Sequence, residues 1–381
     1  MARKHTAHEH TAHEHTAHEH SAREHSAREH SAREYFAHEH LRRHEHTSAD
    51  TREERHVMSS GNLSAARLKG DFDVERLLAE LAVLERTQWA AQRTYGESLE
   101  PSEDTVLDWR VLPLRSPEGR ADRTDPGGLG LVEYAATPWL EKTPYIKSIL
   151  DSLPTELRAV RLMSLGVGAE VDEHRDQPYG LAAGWVRMHI PFVTNPDAVL
   201  TLDGQPHTWQ PGTFWFGDFS TPHSVRNGGS ERRVHLVIDA YVNAELLELF
   251  PAEFRDRIRW SEVLLNRPEI PLTEEELTEF TSTFTIPDAF LYGEPEELAD
   301  DSRPDRTARL RLDGGRLVLE VDDEPRAALV HLGEGEFRAL GWTAERTLKA
   351  ERTGDGLRLR FRMRHGSRME ETVRTAATAA A

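Results

Sequence analysis

From Asn62 onward the chain alternates between two kinds of apolar spacing. Between Asp73 and Leu84 the apolar residues fall at Val74, Leu77, Leu78, Leu81 and Leu84, a helical stripe, and Asp73 suits its N-cap. Thr105–Leu114 alternates and predicts a strand. Arg120–Gly130 is a Gly/Pro/Asp loop, and Thr143–Leu153 a helix carrying Tyr145, Ile146, Ile149 and Leu150. From Ala159 the period shortens. Strands are predicted at Ala159–Leu165, Trp185–Val193, Ala198–Leu202, Thr213–Phe216, His223–Asn227 and Val234–Val242. Turn signals separate them: Asn195-Pro196-Asp197, Asp203-Gly204, Pro211-Gly212 and Asn227-Gly228-Gly229. Short strands at regular intervals with such turns predict a sandwich or barrel of the jelly-roll type. After Asn243 the pattern turns helical, at Ala244–Phe250 and Thr273–Thr281. Glu294–Asp305 reads as an acidic linker. Ala308–Leu312, Arg316–Val321, Arg326–Leu332 and Leu357–Met363 then read as hairpins, with the chain frayed from Thr375.

The first 57 residues fit neither spacing. His5-Thr6-Ala7-His8-Glu9 recurs every five residues and drifts into His-Ser-Ala-Arg-Glu, so that fourteen of the 21 histidines precede Val57. A period of five matches no helix or strand and leaves almost nothing apolar to bury, which predicts a disordered tail. A metal-gathering role is the functional alternative, and Met58 would serve as an ordinary start. The resulting division is a tail over 1–57, a domain over 58–300 (core 143–243, helical 244–292), a β-rich region over 301–374 and a frayed end at 375–381. The fold class expected is mainly β with flanking helices: a double-stranded β-helix (jelly-roll, cupin-like) core plus a small C-terminal β region.

Charge and composition narrow the chemistry. The chain has 381 residues, a formal charge of −19 and no cysteine. The tail contributes only −2, so −17 belongs to the remainder, a surface that repels phosphate backbones and anionic lipids. Neither nucleic acid nor a membrane is expected as partner. Without cysteine any metal site must use His, Asp or Glu. No apolar run approaches the ~18 residues of a spanning helix, and the polar N-terminus carries no secretory signal, so a cytoplasmic location is expected.

The strand region holds such a set. In His174-Arg175-Asp176 an extended backbone projects His174 and Asp176 to one face and Arg175 away. His223 follows in Thr221-Pro222-His223-Ser224-Val225. Two histidines and a carboxylate on one face of a metal leave three open positions, as Fe(II) oxygenases require. The keto and C1-carboxylate oxygens of 2-oxoglutarate take two, and O2 takes the third. The far carboxylate then needs a fixed cation, which a bidentate arginine supplies. Arg232 and Arg233, across the Asn227-Gly228-Gly229 turn, are the candidates. Arg232 shares a strand face with Val234, Leu236, Ile238 and Ala240; Arg233 shares one with His235, Val237 and Asp239. The second face is the more polar, which favours Arg233. The same alternation in Trp185–Phe192 sets Trp185, Arg187 and His189 apart from Val186, Met188, Ile190 and Phe192. An HxD pair alone recurs in many proteins. The combination, in this order and within short strands, is what points to a site.

These segments resemble the aspartyl/asparaginyl β-hydroxylases and their bacterial relatives, including the cis-proline hydroxylases. The resemblance covers roughly Asn62 to Asn243. It is carried by Pro144-Tyr145-Ile146 through Leu153-Pro154, Arg161-Leu162-Met163-Ser164-Leu165, Arg187-Met188-His189 with Pro191, Pro211-Gly212-Thr213-Phe214-Trp215, Thr221 to Asn227, and Arg233 to Asp239. It implies a double-stranded β-helix in which His174, Asp176 and His223 bind Fe(II). It also implies that Arg233, His189 and Ser164 hold 2-oxoglutarate, with Arg187 near the cosubstrate or the substrate carboxylate. Trp185, on the Arg187 face, is a candidate substrate contact. The activity implied is hydroxylation of an aliphatic carbon of an amino acid, free or within a peptide, consuming O2 and releasing succinate and CO2. A non-catalytic jelly-roll that binds a small ligand or metal, and a cupin-type metalloenzyme without cosubstrate, are the alternatives.

Overall fold

The structure is a computed structural model that describes residues 63–92, 107–176, 179–298, 300, 303–354 and 356–378. The His-rich repeats lie outside the described residues, as do 58–62. Twelve strands build the first half: β1 Ala65–Asp71, β2 Ala90–Ala91, β3 Trp109–Pro117, β4 Tyr134–Ala136, β5 Leu157–Leu165, β6 Glu170–His174, β7 Trp185–Val193, β8 Ala198–Leu202, β9 Gln205–His207, β10 Thr213–Gly217, β11 His223–Asn227 and β12 Arg233–Tyr241. They form two sheets. The larger runs β1-β10-β7-β12-β5-β3-β2, with β4 beside β3, and the smaller runs β6-β11-β8-β9. All pairings are antiparallel. This is the expected jelly roll.

Strand alternation gives the larger sheet two unlike faces. Val186, Met188, Ile190 and Phe192 of β7 and Val234, Leu236, Ile238 and Ala240 of β12 pack with Val160 and Leu162 of β5. Two helices cover this face. The first, α1 (Val74–Leu84), is capped by Asp73, which accepts from the Arg76 amide; the second is α2 (Pro144–Asp151). Leu77, Leu81 and Leu84 of α1 and Ile146, Ile149 and Leu150 of α2 complete that core. The opposite face carries Arg187, His189, Arg233, His235 and Asp239, all turned toward the smaller sheet. Of these, Arg187 and Asp239 are paired with each other, and Arg233 bonds to His235.

The C-terminal region departs from the expected hairpins. Eight strands form a closed barrel: β13 Ser282–Pro287, β14 Asp305–Asp313, β15 Arg316–Val321, β16 Glu324–His331, β17 Glu336–Ala339, β18 Arg346–Thr353, β19 Gly356–His365 and β20 Arg368–Thr378. Each strand pairs with the next, and β20 closes on β13 through Ser282–Thr378 and Thr283–Ala377. The β region therefore starts at Ser282, inside the segment expected to be helical. Residues 375–378, expected to fray, are the closing strand, because closure leaves no open edge. Phe284, Leu310, Leu319, Leu329, Phe337, Leu348, Leu359 and Phe361 fill the barrel interior.

The barrel is docked on the jelly roll through backbone as well as side chains. Thr343 Oγ1 donates to Ala183 O at 2.7 Å, Asn266 Nδ2 to Gly184 O at 2.7 Å, and Gly366 N to Ala182 O at 3.1 Å. From the other side Gly130 N donates to Leu340 O and Ala328 N to Gly130 O, both at 3.0 Å. No helix of the described residues is long and apolar enough to cross a membrane.

Candidate metal centre and cosubstrate pocket

His174 ends β6 and His223 begins β11, and the register pairs these two residues directly. Their rings lie 4.2 Å apart. Asp176, two residues past His174, is anchored by its amide to Phe219 O at 2.9 Å. The ligand atoms of His174, Asp176 and His223 all fall within 4.8 Å of one another. Arg175 turns away, donating to Ser220 O at 3.2 Å.

Both imidazoles are pre-set as ligands. His174 Nδ1 lies 2.8 Å from Asp172 O and His223 Nδ1 2.9 Å from Thr221 O. A carbonyl can only accept, so each Nδ1 carries the hydrogen and each Nε2 keeps its lone pair for a metal. Burial pushes the His223 imidazolium down to about 4, against the pull of Asp176, so the ring is neutral at physiological pH. Burial opposes ionisation of Asp176. Arg187, with His223 and His174, outweighs it and holds the carboxyl below its usual range.

Arg187 is the hub beside the triad. It contacts Asp176, donates Nε to Asp239 Oδ1 at 2.7 Å and donates Nη2 to Tyr179 Oη at 2.7 Å. Asp239, fully buried, also accepts from Arg161 Nη2 at 3.1 Å. Asp239 and Arg187 are cross-strand partners between β12 and β7. Burial raises the Asp239 carboxyl, but Arg187 and Arg161 reverse this and keep it ionised.

A chain of rings leads inward from the triad. Phe219 sits edge-on to His223 at 4.9 Å and stacks on His189 at 5.1 Å. His189 meets His235 at 5.6 Å, and His235 Nδ1 accepts from Arg233 Nη2 at 3.0 Å. Arg233 is buried and, among the described residues, has no carboxylate partner. Burial alone lowers its guanidinium to about 10. Arg232 instead pairs with Glu85 at the surface.

Two sequence expectations meet a different placement. Ser164 pairs with Val234 on β12 and so lies on the apolar face with Leu162 and Val160, across the sheet from Arg233. Met163, opposite His235, occupies the site-facing position. Trp185 is buried in a separate cluster, stacked 4.9 Å from Tyr241 with the Arg158 guanidinium 3.2 Å from its ring centroid. Asp239, Arg161, Tyr179, His235, Trp209 and Phe219 lie beside the site residues as well. The polar alternation of β12 marks His235 and Asp239. No local signal marks Tyr179 or Trp209. A surface cavity of about 570 Å³ between residues 63–71 and 251–257 holds none of the triad.

Residues 71–242 match the model of the aspartyl/asparaginyl β-hydroxylase family. Among curated proteins the chain is 24% identical, over 188 residues, to an L-proline cis-4-hydroxylase of Rhizobium meliloti. The alignment takes in 49% of this chain and 62% of that relative, so the chain spans less than two thirds of the relative's length. Among solved structures it is similar to a 2OG-Fe(II) oxygenase-family oxidoreductase from Burkholderia pseudomallei (14% identity, 47% of this chain and 86% of that one, TM-score 0.32). It is also similar to a Pseudomonas putida prolyl-4-hydroxylase (15% identity, 48% and 94%, TM-score 0.30).

Proposed function

We propose that the chain, whose residues 71–242 match the aspartyl/asparaginyl β-hydroxylase family, is an Fe(II)- and 2-oxoglutarate-dependent dioxygenase. It hydroxylates an aliphatic carbon of an amino acid, free or within a peptide, and releases succinate and CO2. What carries this reading is a metal-donor triad and a buried, carboxylate-free guanidinium facing the same interior. A metal site alone would fit many cupin-like proteins. A buried arginine without an anion is unfavourable unless a ligand brings one.

In this reading His174, Asp176 and His223 hold Fe(II), and Arg233 receives the far carboxylate of 2-oxoglutarate. His189 lies between them beside the cosubstrate. Once bound, the metal and cosubstrate supply the O2 activation and oxidising equivalents that C–H hydroxylation needs. The chain does the rest. The carbonyls of Asp172 and Thr221 fix the two ligand rings. Arg187 keeps Asp176 anionic and, held by Asp239, stands on the substrate side, where it can also meet a substrate carboxylate. Phe219 and Trp209 wall the interior against water.

The test is anaerobic. Protein beginning at Met58, freed of the repeat histidines, is mixed with Fe(II) and then 2-oxoglutarate. The expected result is a weak visible charge-transfer band, absent from His174→Ala and Arg233→Ala. Free L-proline, aspartate and asparagine are then screened by succinate release. Folded, iron-loaded protein that gives no band would overturn the proposal and leave a non-catalytic jelly roll.

A further inference from the structure

One donor of the triad faces two ways. Asp176 turns Oδ1 toward His174, 3.7 Å from its Nε2, and turns Oδ2 to Arg187 Nη1. A free carboxylate can give a metal one oxygen or both. Here the two oxygens are already divided. The backbone fixes the division on one side, because the Asp176 amide donates to Phe219 O at 2.9 Å.

Arg187 fixes it on the other. Its Nε donates to Asp239 Oδ1 at 2.7 Å, and its Nη2 donates to Tyr179 Oη at 2.7 Å and to Asp239 Oδ2 at 3.3 Å. The guanidinium carbon also lies 4.2 Å from the centre of the Tyr179 ring. Neither anchor is loose. Asp239 is fully buried, accepts from Arg161 Nη2 at 3.1 Å and sits opposite Arg187 in the register of β12 and β7. Tyr179 is buried in a cluster with Ala183, Trp185 and Tyr241. A planar, rigid fork held at two of its three nitrogens cannot follow a carboxylate that swings away. Swinging Oδ2 to a metal would break a charge-assisted hydrogen bond and leave a largely buried guanidinium N–H without its acceptor.

We propose that Tyr179 and Asp239 are positioning residues: through Arg187 they occupy Oδ2 of Asp176, so that this carboxylate ligates a metal through Oδ1 alone. The inference rests on the metal site of the oxygenase reading above. A second oxygen from Asp176 would fill one of the three positions that this reading needs open. Arg161, Asp239, Arg187 and Asp176 alternate in sign, two cations with two anions, so the row adds no net charge where it is buried.

The experiment counts waters on Mn(II), a redox-stable probe that favours six ligands and oxygen donors. Full-length protein is loaded with Mn(II), and water-proton relaxation is measured, which scales with the number of exchangeable waters on the ion. A full-length His223→Ala control keeps the repeat histidines and supplies their background. The unsubstituted protein is expected to show three waters. Arg187→Met should release Oδ2 to the ion and lose one water, so that relaxation falls to about two-thirds. Tyr179→Phe, which keeps the ring and deletes the acceptor, should shift the same way by less. Unsubstituted protein with two waters would overturn the inference, and that result needs no variant to fold. Arg187→Met with three waters would overturn it as well, and an unchanged Tyr179→Phe would remove Tyr179 from it. Adding 2-oxoglutarate tests the oxygenase reading separately: two waters should leave the unsubstituted protein, and relaxation should fall to about one-third. No fall would take down that reading while the division of Asp176 stands. Protein that binds Mn(II) no better than the control would take down both.

Discussion

Replacing Arg233 with methionine should make the ligand-free protein more stable. Burial lowers the Arg233 guanidinium from its ordinary value to about 10. At ~1.4 kcal/mol per pH unit, keeping it charged in the empty interior costs roughly 3 kcal/mol. Its hydrogen bond to His235 returns about 1 kcal/mol. Methionine fills similar volume without a charge, so a net gain of about 2 kcal/mol is expected, or ~4–8 °C in the melting temperature of the jelly-roll transition. The sign follows from the direction of the displacement. A cation whose folded value is lowered is penalised in full below that value. The penalty fades as pH rises through about 10 toward the unfolded-state value. The advantage of Arg233→Met should therefore be constant from pH 7 to 9 and shrink above about 10. Fe(II) with 2-oxoglutarate at ~100 times its Kd should stabilise the unsubstituted protein by about 2.7 kcal/mol and reverse the order. Calorimetry of both proteins, with and without ligand, decides the matter. A variant less stable than its parent at pH 7.5 without ligand would refute the view that this guanidinium awaits an anion.

Other substitutions probe the parts around it. Asp239→Asn leaves two buried guanidinia without their shared carboxylate and should cost about 3–5 kcal/mol in urea unfolding; a loss under 1 kcal/mol would show that the arginines find other partners. Asp176→Ala should lower Fe(II) affinity by at least an order of magnitude in a chelator competition while leaving the melting temperature within a few degrees. Thr343→Val removes the bond to Ala183 O and should cost about 1–2 kcal/mol, read as faster amide exchange around residues 181–184. Gly341, at φ +86°, would place a Cβ 1.8 Å from Gly128 O, so Gly341→Ala should release the 126–130 segment from the barrel and expose its amides to exchange.

Much of the site was legible because β-strands encode faces. The choice of Arg233 over Arg232 came from alternation alone, and the structure puts Val234, Leu236 and Ile238 in the apolar core while Arg232 lies at the surface. The same rule, applied to β5, would have turned Ser164 away from the pocket. Family resemblance points to Ser164 because it fixes order along a chain but not the phase of a strand. Trp185 lies apart from the triad for another reason. It does share the Arg187 face of β7, but at the strand end, where Tyr241 and Arg158 claim its ring. The contribution of Trp209 was illegible because it depends on a loop after β9 folding over the sheet, a long-range event with no local pattern.

The barrel was the least legible part, and its placement bears on what it does. Four of its strands carry no clear strand signal: Ser282–Pro287 reads as the end of a helical stretch, Glu336–Ala339 is only four residues long, and Arg346–Thr353 and Arg368–Thr378 each intersperse four charged residues among the others. Closure depends on pairing residues nearly a hundred positions apart, Ser282 with Thr378, which no hairpin signal reports. Its interior is filled by apolar side chains, so a ligand-holding lumen is not its purpose. What it presents to the jelly roll is a pair of bonds to the carbonyls of Ala182 and Ala183, and Arg338, whose guanidinium lies over the Tyr241 ring. Residues 182–184 follow closely on Asp176 and Tyr179 and lead directly into β7, the strand of Arg187 and His189. A barrel fixed to that segment holds the lead-in to β7, where the jelly roll alone would leave a short loop without those bonds.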